Sequence, residues 1–447
     1  MPFKTLFRKP AFTISWRERQ SYARLSWSAA TLGLSCLILL GLPAGCAVSP
    51  RGALSSSLES KSEDLTNTAP EVSNAYRYGT LPSNANVEHA KRAYEEWKDL
   101  YLTSSNVPDS STMLRVFNQP GGQGVTTSEY HGYGMLFAAH LEKDDTVLQK
   151  LWNYTESYLN EDGLMKWHID TSGVAQYRQS ALDGDIDIAM ALDYAARRWP
   201  GQGWEARAEN YISSILKPGK NSFLRTDPID TTEWPQWYKG IYLNYLATAY
   251  MDRFSERTGD ERWVNIAVPN TYKLLEHSYV NYELPAWFVN ESGEPIQPSD
   301  PWNSNSNRHD TGATRTNWRI ATHYLTTGHP DAAKWSQKIT EFFAEAGQRR
   351  GSRDTGDFSP TNLRPGYRFM TAGRHVAGSP YGDRSLVSET MMVAAGVPAM
   401  AAGNAKIANE IYDYLADDVL DPSDKTMDNM VHVMGLLIMS GGLEAVR

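Results

Sequence analysis

Apolar residues recur at helical spacing along most of this chain. Ala90, Tyr94, Trp97 and Tyr101 mark one face of a helix over 86–103. Leu148, Leu151, Trp152, Tyr154 and Tyr158 mark another over 145–160. The same reading predicts helices over 130–142, from Asp183 to about Trp199, and over 203–216, 240–258, 261–278, 316–327, 331–348, 387–401, 404–418 and 426–439. Strand signals are few and short, and Gly163 to Trp167 reads as a turn or a strand. The expected fold class is all-α. Long loops rich in Trp, Tyr, Asn and Asp suit a closed ring of helix pairs better than a plain bundle, because loops gathered at one end of a ring build a cleft.

The first segment breaks the pattern. Lys4, Arg8, Lys9, Arg17, Arg19 and Arg24 stand against one acid, Glu18, and an apolar run from Leu32 to Leu42 leads to Pro43-Ala44-Gly45-Cys46. Basic region, short apolar core and small residues describe an export signal over 1–46. The run is short for a membrane span. Cys46 after Ala-Gly resembles a lipid acceptor, with Pro43 departing from that pattern, so plain cleavage and an uncleaved anchor stay open. Export to the periplasm, the cell surface or the medium is the expectation. Residues 47–84, rich in Ser, Asn, Thr and Pro, read as a flexible linker, and 85–447 as one large domain.

Charge narrows the partners. Six basic residues against one acid put the first 45 at +5; with −9 for the whole chain, the remainder stands at −14. Such a body argues against nucleic acid, and against a membrane except through a lipid at Cys46. Both cysteines, Cys36 and Cys46, lie in the export segment, so the domain has neither disulfide nor thiol nucleophile. We expect a monomer held by its core.

Two stretches carry candidate chemistry. Ser128-Glu129-Tyr130-His131-Gly132-Tyr133-Gly134-Met135 sets one acid at a helix start, with Ser128 as the expected N-cap and two glycines that admit a close neighbour. Ala181-Leu182-Asp183-Gly184-Asp185-Ile186-Asp187-Ile188-Ala189 crowds three acids into another helix start. Capping explains the first alone, but structure rarely needs three like charges in five residues. Asp-Gly-Asp lacks the rest of a calcium loop, and no zinc-type His pair, serine elbow or phosphate loop is present, so no metal or cofactor is expected. Paired acids among 14 Trp and 24 Tyr suit glycoside hydrolysis. One acid protonates the leaving oxygen, the other activates water or attacks, and aromatic rings stack on sugar faces. Trp234, Trp237, Tyr238, Trp287 and Trp302 sit in loop sequence where such rings would lie.

These two stretches resemble the signatures of glycoside hydrolase family 8, departing from them at Tyr130 and Leu182. Gly163-Leu164-Met165-Lys166-Trp167 and Arg315-Thr316-Asn317-Trp318-Arg319-Ile320 resemble two further blocks of that family, in order. The resemblance spans roughly 85 to 440. It implies an (α/α)6 barrel, built of six helical hairpins, and inverting hydrolysis of internal β-1,4 bonds, with a cellulase-type glucanase expected first and a chitosanase or xylanase next. It places Glu129 as general acid and Asp183 as the acid that holds and distorts the sugar. It also implies substrate contacts by Tyr133, Asp185, Trp167, Tyr245, Trp287 and Arg319. Many members carry their base where this chain has Gly312. Asp310 is then the candidate base and Asp300 the next, with Arg319 expected to pair with one of them. The bare position 312 also keeps open a surface lipoprotein that binds polysaccharide without cutting it.

Overall fold

The computed structural model describes residues 76–120, 124–217, 240–281, 283–296, 308–350, 353–354, 356–369, 375–381, 388–422 and 426–443. The export segment with Cys46, most of the linker, and Trp234, Trp237, Tyr238, Asp300 and Trp302 lie outside them.

Twelve α-helices carry the described chain: α1 (Val87–Tyr101), α2 (Ser128–Leu141), α3 (Thr146–Ser157), α4 (Leu182–Arg198), α5 (Trp204–Ile215), α6 (Thr248–Thr258), α7 (Val268–Asn281), α8 (Thr314–Thr327), α9 (Pro330–Ala346), α10 (Glu389–Ala401), α11 (Ala405–Asp417) and α12 (Thr426–Met439). The even-numbered helices pack on one another in sequence, and α12 returns to α2. Each odd-numbered helix lies outside the ring against an even one, with α1 closing it against α12. This is an (α/α)6 barrel. Its hairpins point all inner helix N-termini to one end, where the long loops meet.

Burial separates the two rings. Every residue of α10 is buried, and nearly all of α2 and α4. Outer helices show a stripe instead, as on α1, where Ala90, Ala93, Tyr94, Trp97 and Tyr101 face inward. Local signals start and stop them. The Asn86 side chain accepts from Glu88 N–H at 3.0 Å, Asn404 does the same for Ile407 N–H at 3.2 Å, and Gly328 ends α8 in the left-handed region at φ +76°.

Four expectations need correction. Residues 76–84 are part of the domain, not linker. The Tyr76 hydroxyl donates to Ile438 C=O at 2.8 Å, Tyr78 N–H to Leu325 C=O at 3.1 Å and Thr80 N–H to Met400 C=O at 3.0 Å. This strap crosses the C-terminal ends of α12, α8 and α10. Thr127, not Ser128, caps α2, its hydroxyl accepting from Tyr130 N–H at 3.4 Å. The helix expected over 240–258 starts only at Thr248. Before it, Ile241–Tyr242 pairs with Phe288–Val289 and Leu243–Tyr245 makes a 3-10 turn, with the Tyr242 ring packed at a tilt against Tyr245 and Trp287. The helix expected over 261–278 begins as a π turn, Trp263–Ala267, and continues as α7.

Candidate active site

The first turns of the inner helices carry the acids. Thr126–Thr127 pairs with His168–Ile169, and Ser128 N–H donates to Trp167 C=O at 2.9 Å. These bonds set the start of α2, and with it Glu129, beside Trp167. The half-buried Trp167 ring lies 4.9 Å from the exposed Tyr177 ring at an interplanar angle of 18°. An aromatic shelf therefore borders the acid.

Glycine brings α2 and α4 together. A Cβ on Gly132 would lie 2.9 Å from Asp187 Cβ, and one on Gly184 2.4–2.6 Å from Ser128. The two helices cross at this bare contact, so Glu129 and Asp183 start side by side. The three acids of α4 then part company. Asp183 and Asp187 are one turn apart and share a face; Asp185 points the other way. Tyr211 of α5 donates to Asp185 Oδ1 at 3.0 Å, and Asp185 is fully buried. Asp185 thus ties α4 to the outer ring and offers no sugar contact.

Two arginines of α8, also four apart, face the two acids of α4. Arg315 Nη1 donates to Glu129 Oε1 and, at 3.4 Å, to Asp183 Oδ2. Arg319 Nη2 donates to Asp187 Oδ2 at 2.7 Å, with neither side chain exposed. Arg319 was expected to pair with the base; it lies too deep and pairs with Asp187. Glu129 keeps 20% of its side chain exposed, Asp183 only 5%. Burial raises the Asp183 carboxyl above the usual carboxylate range, against the pull of its own Gly184 N–H and of Arg319. Burial raises Asp187 to about 6, against Arg319. Tyr133 is fully buried, with Asp183, Asp187 and Arg319 near its hydroxyl, so it supports the acids from beneath and lies out of reach of a sugar.

A second group stands on the stretch that leads into α8. His309–Asp310 pairs with Gly366–Tyr367, and Asp310 Oδ1 accepts from Gly312 N–H at 3.2 Å. Asp310 is half-buried. A Cβ on Gly312 would lie 2.2–2.6 Å from the Trp287 indole, so that ring fills the space a side chain at 312 would need. Trp287 N–H donates to Arg308 C=O at 3.1 Å, and its ring is 5.5 Å from Tyr242, itself 5.0 Å from Tyr245. Trp287, Tyr245 and Asp310 thus share one wall. Asp310 lies five positions before Arg315, which holds the other group.

The roles of Arg315 and Asp187 were not read from the sequence. A signal existed: Asp183/Asp187 and Arg315/Arg319 are matched pairs at helical spacing, each on one helix face. No cluster of metal-ligating side chains occurs among the described residues.

Comparison with known proteins agrees with this fold. The profile of Glycosyl hydrolases family 8 matches residues 74–355. Endoglucanase 2 of Ruminiclostridium josui is 26% identical over 384 residues, covering 82% of this chain and 75% of that protein. A beta-glucanase of Niallia circulans is 26% identical over 392 residues, 81% of this chain and 88% of that one. The apo structure of a beta-1,3-1,4-glucanase from Paenibacillus sp. X4 superimposes with a TM-score of 0.69 at 23% identity, covering 82% and 96% of the two chains.

Proposed function

The chain belongs to glycosyl hydrolase family 8, and from that premise we propose that it cuts internal β-1,4 bonds of cellulose or a related β-glucan with inversion. The observation that carries this reading is the guanidinium of Arg315, which holds Glu129 and Asp183 together at the barrel mouth. Glu129, the more exposed acid, gives its proton to the leaving glycosidic oxygen. Asp183, buried and fixed by Gly184 N–H at 2.9 Å, holds the sugar beside the scissile bond. Asp310, on the stretch before α8, takes a proton from the attacking water as the water's oxygen bonds to the anomeric carbon. Trp167 and Trp287 offer ring faces on either side. The basic and apolar segment ending at Cys46 supports export, as a lipoprotein or a secreted monomer.

The test is reducing-sugar release from soluble β-glucan, carboxymethyl cellulose, xylan and chitosan, with Glu129→Gln beside the parent. Release from a glucan that falls by about 10²–10⁴-fold in the variant supports the reading. Release from xylan or chitosan alone moves the substrate class. Parallel loss in Asp310→Asn assigns the base. No cutting of a polymer that still binds favours a binding protein, the reading that Gly312 beneath Trp287 keeps alive.

A further inference from the structure

Charges alternate from the mouth into the barrel: Glu129, Arg315, Asp183, Arg319, Asp187. Three carboxylates meet two guanidiniums, and the exposure of the carboxylates falls from 20% at Glu129 through 5% at Asp183 to none at Asp187. The catalytic reading uses its outer part only. The inner end is a buried ion pair, and burying such a pair is costly unless every group is bonded. Here they are not: among the described residues Asp187 Oδ1 and Arg319 Nε and Nη1 have no hydrogen-bond partner. An apolar pair of the same size would pack the barrel axis at less cost, so the charges there need a reason beyond packing.

We propose that Asp187, acting through Arg319, is a positioning residue that fixes the charge and the orientation of Asp183. Asp187 lies one turn below Asp183 on the same face of α4. Arg319 stands between them in charge: it bonds Asp187 at 2.7 Å and also acts electrostatically on Asp183. The groups that face this pair are Tyr133 from α2, Asp183 from α4, Tyr250 from α6 and Arg315 from α8, with Glu129 beyond Arg315. Asp187 competes with Asp183 for one guanidinium. With Asp187 charged, Arg319 is drawn down into the barrel, and Asp183 stays free to accept a sugar hydroxyl. With Asp187 neutral, Arg319 turns to Asp183 and ties it up.

This proposal rests on the hydrolase reading, which the Glu129→Gln comparison tests independently. Its own test uses the full-length protein, with pH profiles of kcat and KM on the polymer that the parent cuts. Asp187→Asn removes a like charge and releases Arg319 toward Asp183, so the limb set by Asp183 moves to lower pH by about one unit. Arg319→Gln removes the attracting charge, and the same limb moves to higher pH. In both variants kcat falls at least about tenfold while KM stays within about twofold. Shifts in the same direction, or none in folded variants, overturn the proposal. If either single variant does not fold, Asp187→Asn/Arg319→Gln keeps the axis neutral; the two opposing shifts then largely cancel, and a kcat that stays at the parental level in that protein also overturns the proposal.

Discussion

Helix α4 carries a buried acid–arginine network at each end, and the two are built differently. At the C-terminal end the Asp193 side chain, wholly buried, meets Arg257 Nε at 2.7 Å, Arg197 Nε at 3.3 Å and Arg253 Nε at 3.4 Å. Three cations from two helices surround one acid there, and they also sit well with the C-terminal dipole of α4. At the N-terminal end Asp183 and Asp187 share Arg315 and Arg319, and the nitrogens Nε of both arginines and Nη1 of Arg319 lack partners among the described residues. The Asp193 network, with both carboxylate oxygens met by guanidiniums, holds α4 against α6. The other lies under the mouth, where Asp187 Oδ1 has no hydrogen-bond partner among the described residues. One helix thus separates holding from working by how fully each acid is bonded.

The largest effect expected from breaking this contrast is at the Asp193 end. Asp193→Ala leaves three guanidiniums without their acid and should cost about 3–5 kcal/mol in urea unfolding, with kcat per folded molecule unchanged. The next concerns pH. Burial raises Asp187 to about 6, whereas an unfolded Asp sits near ~3.9. A raised acid stabilises the fold below the unfolded value and loses that contribution as pH climbs through the folded one. Relative to Asp187→Asn, the parent should therefore lose roughly 3 kcal/mol of unfolding free energy between about pH 4 and pH 7. Unfolding curves of both proteins at each pH check this; a constant difference would mean that Asp187 does not titrate there. The smallest effect is at the helix crossing. Gly184→Ala drives a methyl group against Ser128, lowering stability by about 1–3 kcal/mol and kcat/KM along with it, because Glu129 is the next residue. A thermal melt and a rate assay on the same sample read both.

All twelve helices were legible, although inner and outer helices were legible for different reasons. α1 announces itself by its stripe. α10 is buried on every side, so periodicity says little and its apolar run of helical length marks it instead. The stretch 240–247 misled because tyrosines and leucines at near-helical spacing serve as well in a short strand and turn. Glu129 and Asp183 were visible because each opens a helix in a recognisable block. Asp185 misled because it belongs to the same block yet faces α5. The pairings of Arg315 with Glu129 and Arg319 with Asp187 join residues 186 and 132 apart, and only the closed ring brings them together. Gly312 looked like a lost base; the structure shows that the space is filled by Trp287, a residue 25 positions earlier, through a contact that no spacing rule announces.

The strap over 76–84 has a consequence for the order of assembly. Its anchors, Leu325, Met400 and Ile438, belong to the last three inner helices, and Tyr76 reaches Ile438 across 362 residues. A chain made from its N-terminus therefore holds the strap and α1 without their docking partners until synthesis is nearly over. Until then the growing ring is an open arc whose two ends present bare apolar faces. Closure is the last event of folding, it brings residues from both extremes of the domain together at once, and a chain released before α12 emerges has no seam to shut.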